Sequence, residues 1–399
     1  MVIETVVLGM IAALAVATTL LSMGALLWVT RRPRKPLPDH TPPITIFKPL
    51  KGEDEGLEDN LRSFFGLDYP VYQLLFGVAD GDDAAVPVVR RLLKEFPDHD
   101  ARLVIGTPAF GLNPKVENLA AMDPYRKYDT ILISDSNVRV RPSYLRETAC
   151  YLSEPGVGLV TNIFVGVGEQ HASAALENLQ LNGFIAAGIA LAAVTRTTCV
   201  VGKSMLMPIR ALEAIGGFAA VRNLLAEDQM IGVKVRKAGY AICLSHHVIE
   251  NVNQARSLRW FLNRHSRWYK IRKQLALPVF LIEPTANLTT VGLVWALSSD
   301  SGIAWLGLLV MAGLGVARDI FQTRWLRGSL PKLRHWPLSL VKDLFLLPVW
   351  IDALFNRRIH WRGHQFLIGR YTRLRLAPVP WRVRERMWRV RRLRARHER

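Results

Sequence analysis

Cysteine is scarce in this chain: Cys150, Cys199 and Cys243 are the only three in 399 residues, far apart and without a Cys-x-x-Cys pair. That excludes a disulfide framework or a thiolate metal knot and points to reduced thiols in a cytosolic domain. Acidic residues are also few, 33 against 52 Lys and Arg, which leaves a net charge of +19. With neither zinc-finger spacing nor a basic zipper, that excess speaks against nucleic acid and for another polyanion, an anionic phospholipid surface. Internal repeats and low-complexity linkers are missing as well. What remains is 50% hydrophobic and 21% charged, with a mean hydropathy of +0.14. The chain is too apolar for a soluble protein of this length and too charged for a pure membrane bundle, so it is a mixture.

Hydropathy divides the mixture. From Thr5 to Val29 no charge interrupts the sequence, enough to cross a hydrocarbon layer of roughly 30 Å. A cleaved signal peptide fits poorly, because the run is too long and its basic residues, RRPRK at 31–35, follow it. Residues 1–30 are therefore expected to be a transmembrane helix with its start outside, and 31–43 a basic linker on the inner side. The pattern over 44–273 is that of a soluble α/β domain. Short runs such as PITIFKPL, YQLLFGVAD, ARLVIGT and DTILISDS alternate with helical stretches such as AAVPVVRRLLKEF. Beyond it the chain is apolar but broken: a transmembrane hairpin over 274–320, a basic cytosolic loop over 321–336, a re-entrant or interfacial segment over 337–356, and a basic cytosolic tail over 357–399. The link SSDSG has no Lys or Arg, whereas the later loop and the tail are rich in both, so the charge asymmetry fits on every side.

Two strand-like runs end in acids, at Asp80 and Asp135, and open α/β sheets bind ligands beyond the carboxyl ends of their strands. In ISDSNVRV, Asp135 with Ser136 and Asn137 offers hard oxygen donors suited to Mg²⁺ or Mn²⁺ on a diphosphate; an Asp capping a turn explains it equally. GLNPKVENL places Lys115 at a helix start where backbone N–H groups favour phosphate, or is simply a cap. LLAEDQM puts Glu227 and Asp228 at another helix start, where the helix dipole alone would favour acids. His246 and His247 point to opposite faces of a strand, which reads as ordinary packing. NRHSRWYKIRK, 263–273, crowds six cationic residues and two aromatics ahead of an apolar stretch. An inner-face anchor explains the charge, but Arg264-x-x-Arg267-Trp268 also sets both arginines on neighbouring turns of one helix face.

In this order, KPLKG (48–52), VAD-GDD (78–83), NPK (113–115), SDS (134–136), AED (226–228) and RxxRW (264–268) resemble the ceramide glucosyltransferase family. The resemblance runs from Pro43 to Leu277 and continues weakly to HWRGHQF. It implies a cytosolic GT-A glycosyltransferase domain of α/β class between N- and C-terminal transmembrane helices. It also implies a UDP-glucose donor, a divalent Mg²⁺ or Mn²⁺, and inverting transfer to the hydroxyl of ceramide in glycolipid biosynthesis. Carried over, Asp80 and Asp83 lie near the uridine, Asp135 by the metal and diphosphate, and Asp228 is the base. Arg264, Arg267 and Trp268 form the closing motif, with Trp268 a wall for the sugar or lipid head.

The chain departs from Asp-x-Asp at Asn137, which leaves the metal one obvious carboxylate. It also resembles hopanoid glycosyltransferases, which add an amino sugar to a polyol lipid. A non-catalytic membrane-bound UDP-sugar sensor is the rival from another class, and it has no need of Asp228. A processive polysaccharide synthase would need more spanning helices. The expected location is a bacterial inner membrane with the catalytic domain in the cytosol.

Overall fold

A computed structural model of the chain describes residues 2–31, 39–361 and 363–377. Most of the basic linker and the tail beyond Ala377 lie outside the described residues. In chain order the first elements are α1 (Val2–Thr30), β1 (Ile44–Pro49), α2 (Leu57–Phe65), β2 (Tyr72–Val78), α3 (Ala85–Glu95), β3 (Ala101–Ile105), α4 (Pro114–Met122), β4 (Thr130–Ile133), β5 (Val138–Arg139) and α5 (Tyr144–Ala149). Next come β6 (Val157–Val167), α6 (Ala172–Gln180), α7 (Ala186–Val194), β7 (Met205–Pro208), α8 (Ile209–Glu213), α9 (Glu227–Lys237), β8 (Ala241–Val252) and α10 (Leu258–Leu275). The apolar third holds α11 (Leu277–Ile282), α12 (Leu288–Leu297), α13 (Gly302–Arg327) and α14 (Leu338–Phe355), followed by β9 (Arg358–Trp361), β10 (His364–Ile368) and β11 (Leu374–Leu376).

Eight strands form one mixed sheet in the order β3-β2-β1-β4-β7-β6-β8-β5. Its first four strands run parallel, while β7 pairs antiparallel with both β4 and β6. Every residue of β1, β4 and β6 is buried, as strands covered by helices on both faces must be. Alternate residues feed two apolar layers: Ile44, Ile46, Leu74, Phe76 and Leu132 on one face, Phe47, Leu75, Ile131 and Ile133 on the other. This is a mixed α/β sheet, the class expected from the sequence, and it brings the carboxyl ends of β2, β1 and β4 side by side. Gly77 lets α4 sit against β2, because a Cβ there would collide with Asn118 and Met122. The Asn118 amide in turn donates to the carbonyls of Gly77 (2.8 Å) and Leu50 (3.2 Å), which ties the strand ends together.

Among the described residues, three helices are long and apolar enough to cross a membrane: Val6–Thr30, Ala172–Val194 and Gly302–Arg327. The second of these was not anticipated. It is a continuous helical stretch through a π turn at Leu181–Ile185, interrupted by few charges and largely buried against α1 and the sheet. The first arm of the expected hairpin is instead a bent pair, Leu277–Ala286 and Leu288–Leu297, at 71°. The break falls at Pro284 and Asn287, where a short 3-10 turn replaces regular helix. The second arm continues past residue 320 to Arg327, because Arg318 and Asp319 are paired inside the bundle at 2.9 Å. Lys342 of α14 reaches the same carboxylate at 3.0 Å and Asp343 at 2.8 Å, so the charges inside the apolar third compensate one another. The tail, expected as a plain basic segment, begins with the small β9–β11 sheet. Its Ile359, Phe366, Ile368 and Leu374 pack on Leu225, beside the AED motif.

Candidate active site

Four segments from distant parts of the chain meet at the carboxyl end of β4. Asp135 lies just beyond that strand. Lys115 comes from the first turn of α4, whose start is fixed by the Asn113 side chain accepting from the N–H groups of Lys115 (2.9 Å) and Val116 (3.2 Å), with Pro114 preset for the helix. Glu227 and Asp228 open α9, and Lys203 sits in the tight turn before β7. Lys115 Nζ lies 2.8 Å from Asp135 Oδ1 and 3.1 Å from Glu227 Oε1. Burial alone would lower the Lys115 pKa, but Asp135, Glu227 and Asp228 together raise it above its ordinary value. Lys115 is thus a fixed cation at the site's centre.

Glu227 is buried and doubly held, since its Oε2 also accepts from Asn113 Nδ2 at 3.1 Å. Asp228 is placed differently. Its Oδ2 accepts from Gly202 N at 2.9 Å, a contact open only to glycine because a Cβ at 202 would collide with that carboxylate. Burial, and then the negative charge of Glu227, push the Asp228 pKa up to about 6. A half-buried carboxylate with that pKa is suited to accept a proton near neutral pH.

Arg264 projects from α10 between two indoles, 5.0 Å from the Trp260 ring and 4.4 Å from that of Trp268. The helix is started by Ser257, whose hydroxyl accepts from Trp260 N. Buried Glu177 of α6 holds Arg264 at 3.0 Å through one oxygen and His265 at 2.9 Å through the other. Burial lowers the Arg264 pKa and Glu177 raises it most, with Asp135 and Asp54 raising it further, so the buried guanidinium lies within electrostatic reach of the same site. Arg267 is half-buried one turn further on. The basic cluster is thus partly resolved: Lys270 pairs with Asp352 at 2.8 Å and Arg272 with Glu283 at 2.6 Å, the packing expected of an anchor, while Arg264 faces the acids.

Among the sequence candidates, Lys115, Asp135 and Asp228 converge, and Trp268 packs on Arg264. Asp80 is exposed at the carboxyl end of β2, on the same sheet edge. Asp83 accepts from Gly52 N (2.8 Å) and Ala85 N (2.9 Å), so it holds the KPLKG loop and starts α3. His247 packs against Tyr144 and pairs with Glu147, as a core histidine does.

Four further residues escaped the sequence reading. Lys48 is wholly buried, with its Nζ donating to Asp135 O (2.6 Å) and Ser134 Oγ (3.2 Å), 3.8 Å from the Phe64 ring. Asp54 accepts from Ser136 Oγ and from Arg256 at 2.8 Å, closing the loop after β1 onto the start of α10. Lys203 and Glu177 complete the set. Their signal was in the sequence: an isolated charge inside VVGKSMLM and inside SAALENLQLNG is expensive to bury unless something pairs with it.

A divalent cation fits here only narrowly. No group of three His, Cys, Asp or Glu side chains is placed to hold a metal among the described residues. Asp135 lies just beyond β4, and the Asn137 amide oxygen is already bonded to Lys203. A hard ion would take Asp135 as its protein ligand and fill its remaining positions from diphosphate and water.

The profile of the family described as Glycosyl transferase family 21 matches residues 6–374. Ceramide glucosyltransferase 3 of Caenorhabditis elegans is 32% identical over 336 residues, 82% of this chain and 72% of that one. Ceramide glucosyltransferase of Komagataella phaffii is 23% identical over 436 residues, 85% of each. Among solved structures, the mannosyltransferase PcManGT from Pyrobaculum calidifontis in complex with GDP-Man and Mn²⁺ superposes with a TM-score of 0.48 at 17% identity, covering 86% of this chain and 99% of that one.

Proposed function

The chain belongs to glycosyl transferase family 21, and from that premise we propose that it transfers glucose from UDP-glucose to the hydroxyl of ceramide, with inversion at the anomeric carbon. The observation that carries this reading is the meeting of Asp135, Lys115 and the Glu227–Asp228 pair at one strand end. In the proposed step the lipid hydroxyl attacks the anomeric carbon from the face opposite the diphosphate. The bond to the diphosphate oxygen breaks, its electron pair leaves with UDP, and Asp228 takes the hydroxyl proton. Lys115 and Arg264 face the charge that develops on the departing diphosphate. Asp80 lies towards the uridine, and Trp268 walls the sugar or the lipid head. A divalent ion bound at Asp135 would neutralise diphosphate charge.

Because α10 runs directly into the apolar third, the site lies close to the bilayer from which a ceramide would be drawn. The Lys and Arg asymmetry supports a cytosolic catalytic domain, and the excess positive charge supports contact with anionic phospholipid. The matches favour ceramide over a hopanoid acceptor and favour an enzyme over a sensor. Membranes containing the protein, incubated with a panel of UDP-sugars and lipid extracts, should yield a product whose mass is that of ceramide plus one hexose. A hexosamine on a polyol lipid, or no product from any pair, would overturn the reading.

A further inference from the structure

A groove of about 560 Å³ opens between the segment that leads into the AED motif and the small β9–β11 sheet. Five cations line it, Arg222 and Lys234 on one wall and Arg370, Arg373 and Arg375 on the other. Among the described residues no Asp or Glu lines the groove and none of the five is ion-paired. Arg222 and Arg370 lie over the rings of Phe110 and Tyr371, at 5.6 and 5.3 Å, contacts that leave their charge uncompensated. Acids on the neighbouring helices are engaged elsewhere: Glu227 with Lys115, Asp228 with the Gly202 N–H, and Glu117 with the N–H groups of Phe110 and Gly111. The sequence beyond Ala377 does not supply the missing anion, since Glu385 and Glu398 are its only acids among many arginines.

The groove sits at the level where α10 enters the apolar third. Ile271 of α10 packs into the apolar cluster of the β9–β11 sheet, and Lys270 Nζ donates to Arg358 O at 3.0 Å. Just beyond, α10 gives way to α11, whose Leu277, Val279, Leu281 and Ile282 are exposed. Beside the groove Tyr371 and Leu376 are 56% and 65% exposed, an aromatic and an aliphatic side chain among arginines, the composition of a surface that sits in a headgroup layer. The two walls are tied together, with Leu225 N donating to Thr372 O at 2.9 Å and Leu374 N to Asn223 O at 2.8 Å, so the cations are held on a fixed frame. Resting on the reading above that the protein meets an anionic phospholipid surface, we propose that this groove is where it does so: a docking site for the phosphate groups of anionic phospholipids, with Tyr371 and Leu376 entering the headgroup layer. Guanidinium forks match phosphate oxygens, and an anionic headgroup supplies the charge that the protein's own acids do not.

The test places a polarity-sensitive fluorophore at Tyr371→Cys in the full chain, in a background without the native cysteines, reconstituted into vesicles of phosphatidylcholine with or without phosphatidylglycerol. With phosphatidylglycerol the emission should shift to the blue. In Arg222→Gln/Arg375→Gln the phosphatidylglycerol fraction needed for half of that shift should rise severalfold, because each cation near an anionic surface strengthens the attraction roughly fivefold. Arg90→Gln/Lys94→Gln, which removes two exposed cations from α3, should leave that fraction unchanged. A label at Leu376→Cys reads the same event if the Tyr371 variant does not fold. No shift with phosphatidylglycerol, an equal shift in phosphatidylcholine alone, or an equal loss in the α3 variant overturns the proposal. So does a shift produced in phosphatidylcholine vesicles by inorganic phosphate added inside and out, which would make the groove a site for a soluble anion. Each of these outcomes leaves the membrane and glycosyltransferase readings intact. A chain that does not float with phosphatidylcholine vesicles would instead sink the membrane reading, and the proposal with it.

Discussion

Two adjacent carboxylates divide the work by their surroundings. Glu227 is occupied by the Lys115 cation and Asn113, whereas Asp228 accepts only from backbone N–H groups, those of Gly202 (2.9 Å) and Gln229 (2.7 Å), and carries a raised pKa. Asp228→Asn preserves size and most hydrogen bonding while removing basicity. It should lower kcat by a factor on the order of 10² to 10⁴ and leave UDP affinity nearly unchanged. The sign of the pH dependence follows from the role. A base must be unprotonated, so wild-type turnover should fall as pH drops through about 6 and stay level above it, until other groups titrate. Turnover at saturating donor measures both effects. Near-normal turnover in the variant would move the role to Glu227.

At the scale of elements, α10 carries two functions. Lys270 and Arg272 fasten it to α14 and to the bent apolar pair, while Trp260, Arg264 and Trp268 present a stacked guanidinium towards the acids. The stack depends on a planar cation that also reaches Glu177 on α6, which a lysine ammonium cannot reproduce. Arg264→Lys should therefore reduce kcat/KM by about tenfold or more, despite keeping the charge. Full activity in that variant would reduce Arg264 to an anchoring residue. The helix was legible in the sequence, and so was its RxxRW spacing. Which arginine is sandwiched was not, since that depends on Glu177, nearly ninety positions earlier and inside a segment whose apolar character hid a buried acid.

For the whole molecule, the decisive question is on which side of the membrane each part lies. Single cysteines in a background without the native three should label from outside at Asp300→Cys, in the short link between the apolar arms, and from inside at Arg31→Cys. The basis is that Lys and Arg gather at one end of each apolar segment. Accessibility of both from the same side would overturn the topology. The β9–β11 sheet adds a constraint of its own: Leu225 N donates to Thr372 O at 2.9 Å, so the segment beyond α14 packs against the loop that presents Asp228. The start of the tail and the site therefore lie on one side of the membrane.

By itself the sequence determined the division into apolar and α/β parts, the strand–helix rhythm, the acids at strand ends and the family resemblance. All of these are local, because side-chain period, run length and motif spacing are written along the chain. Only the tertiary structure decided that Lys48, Lys203 and Lys115 surround one carboxylate, that Glu177 selects Arg264, and that the 172–194 helix is apolar yet mostly buried. These follow from the order of the sheet, in which β7 is inserted between β4 and β6 and carries Lys203 next to Asp135. Such a neighbourhood is set by the packing of elements far apart in sequence. No spacing in the chain encodes it.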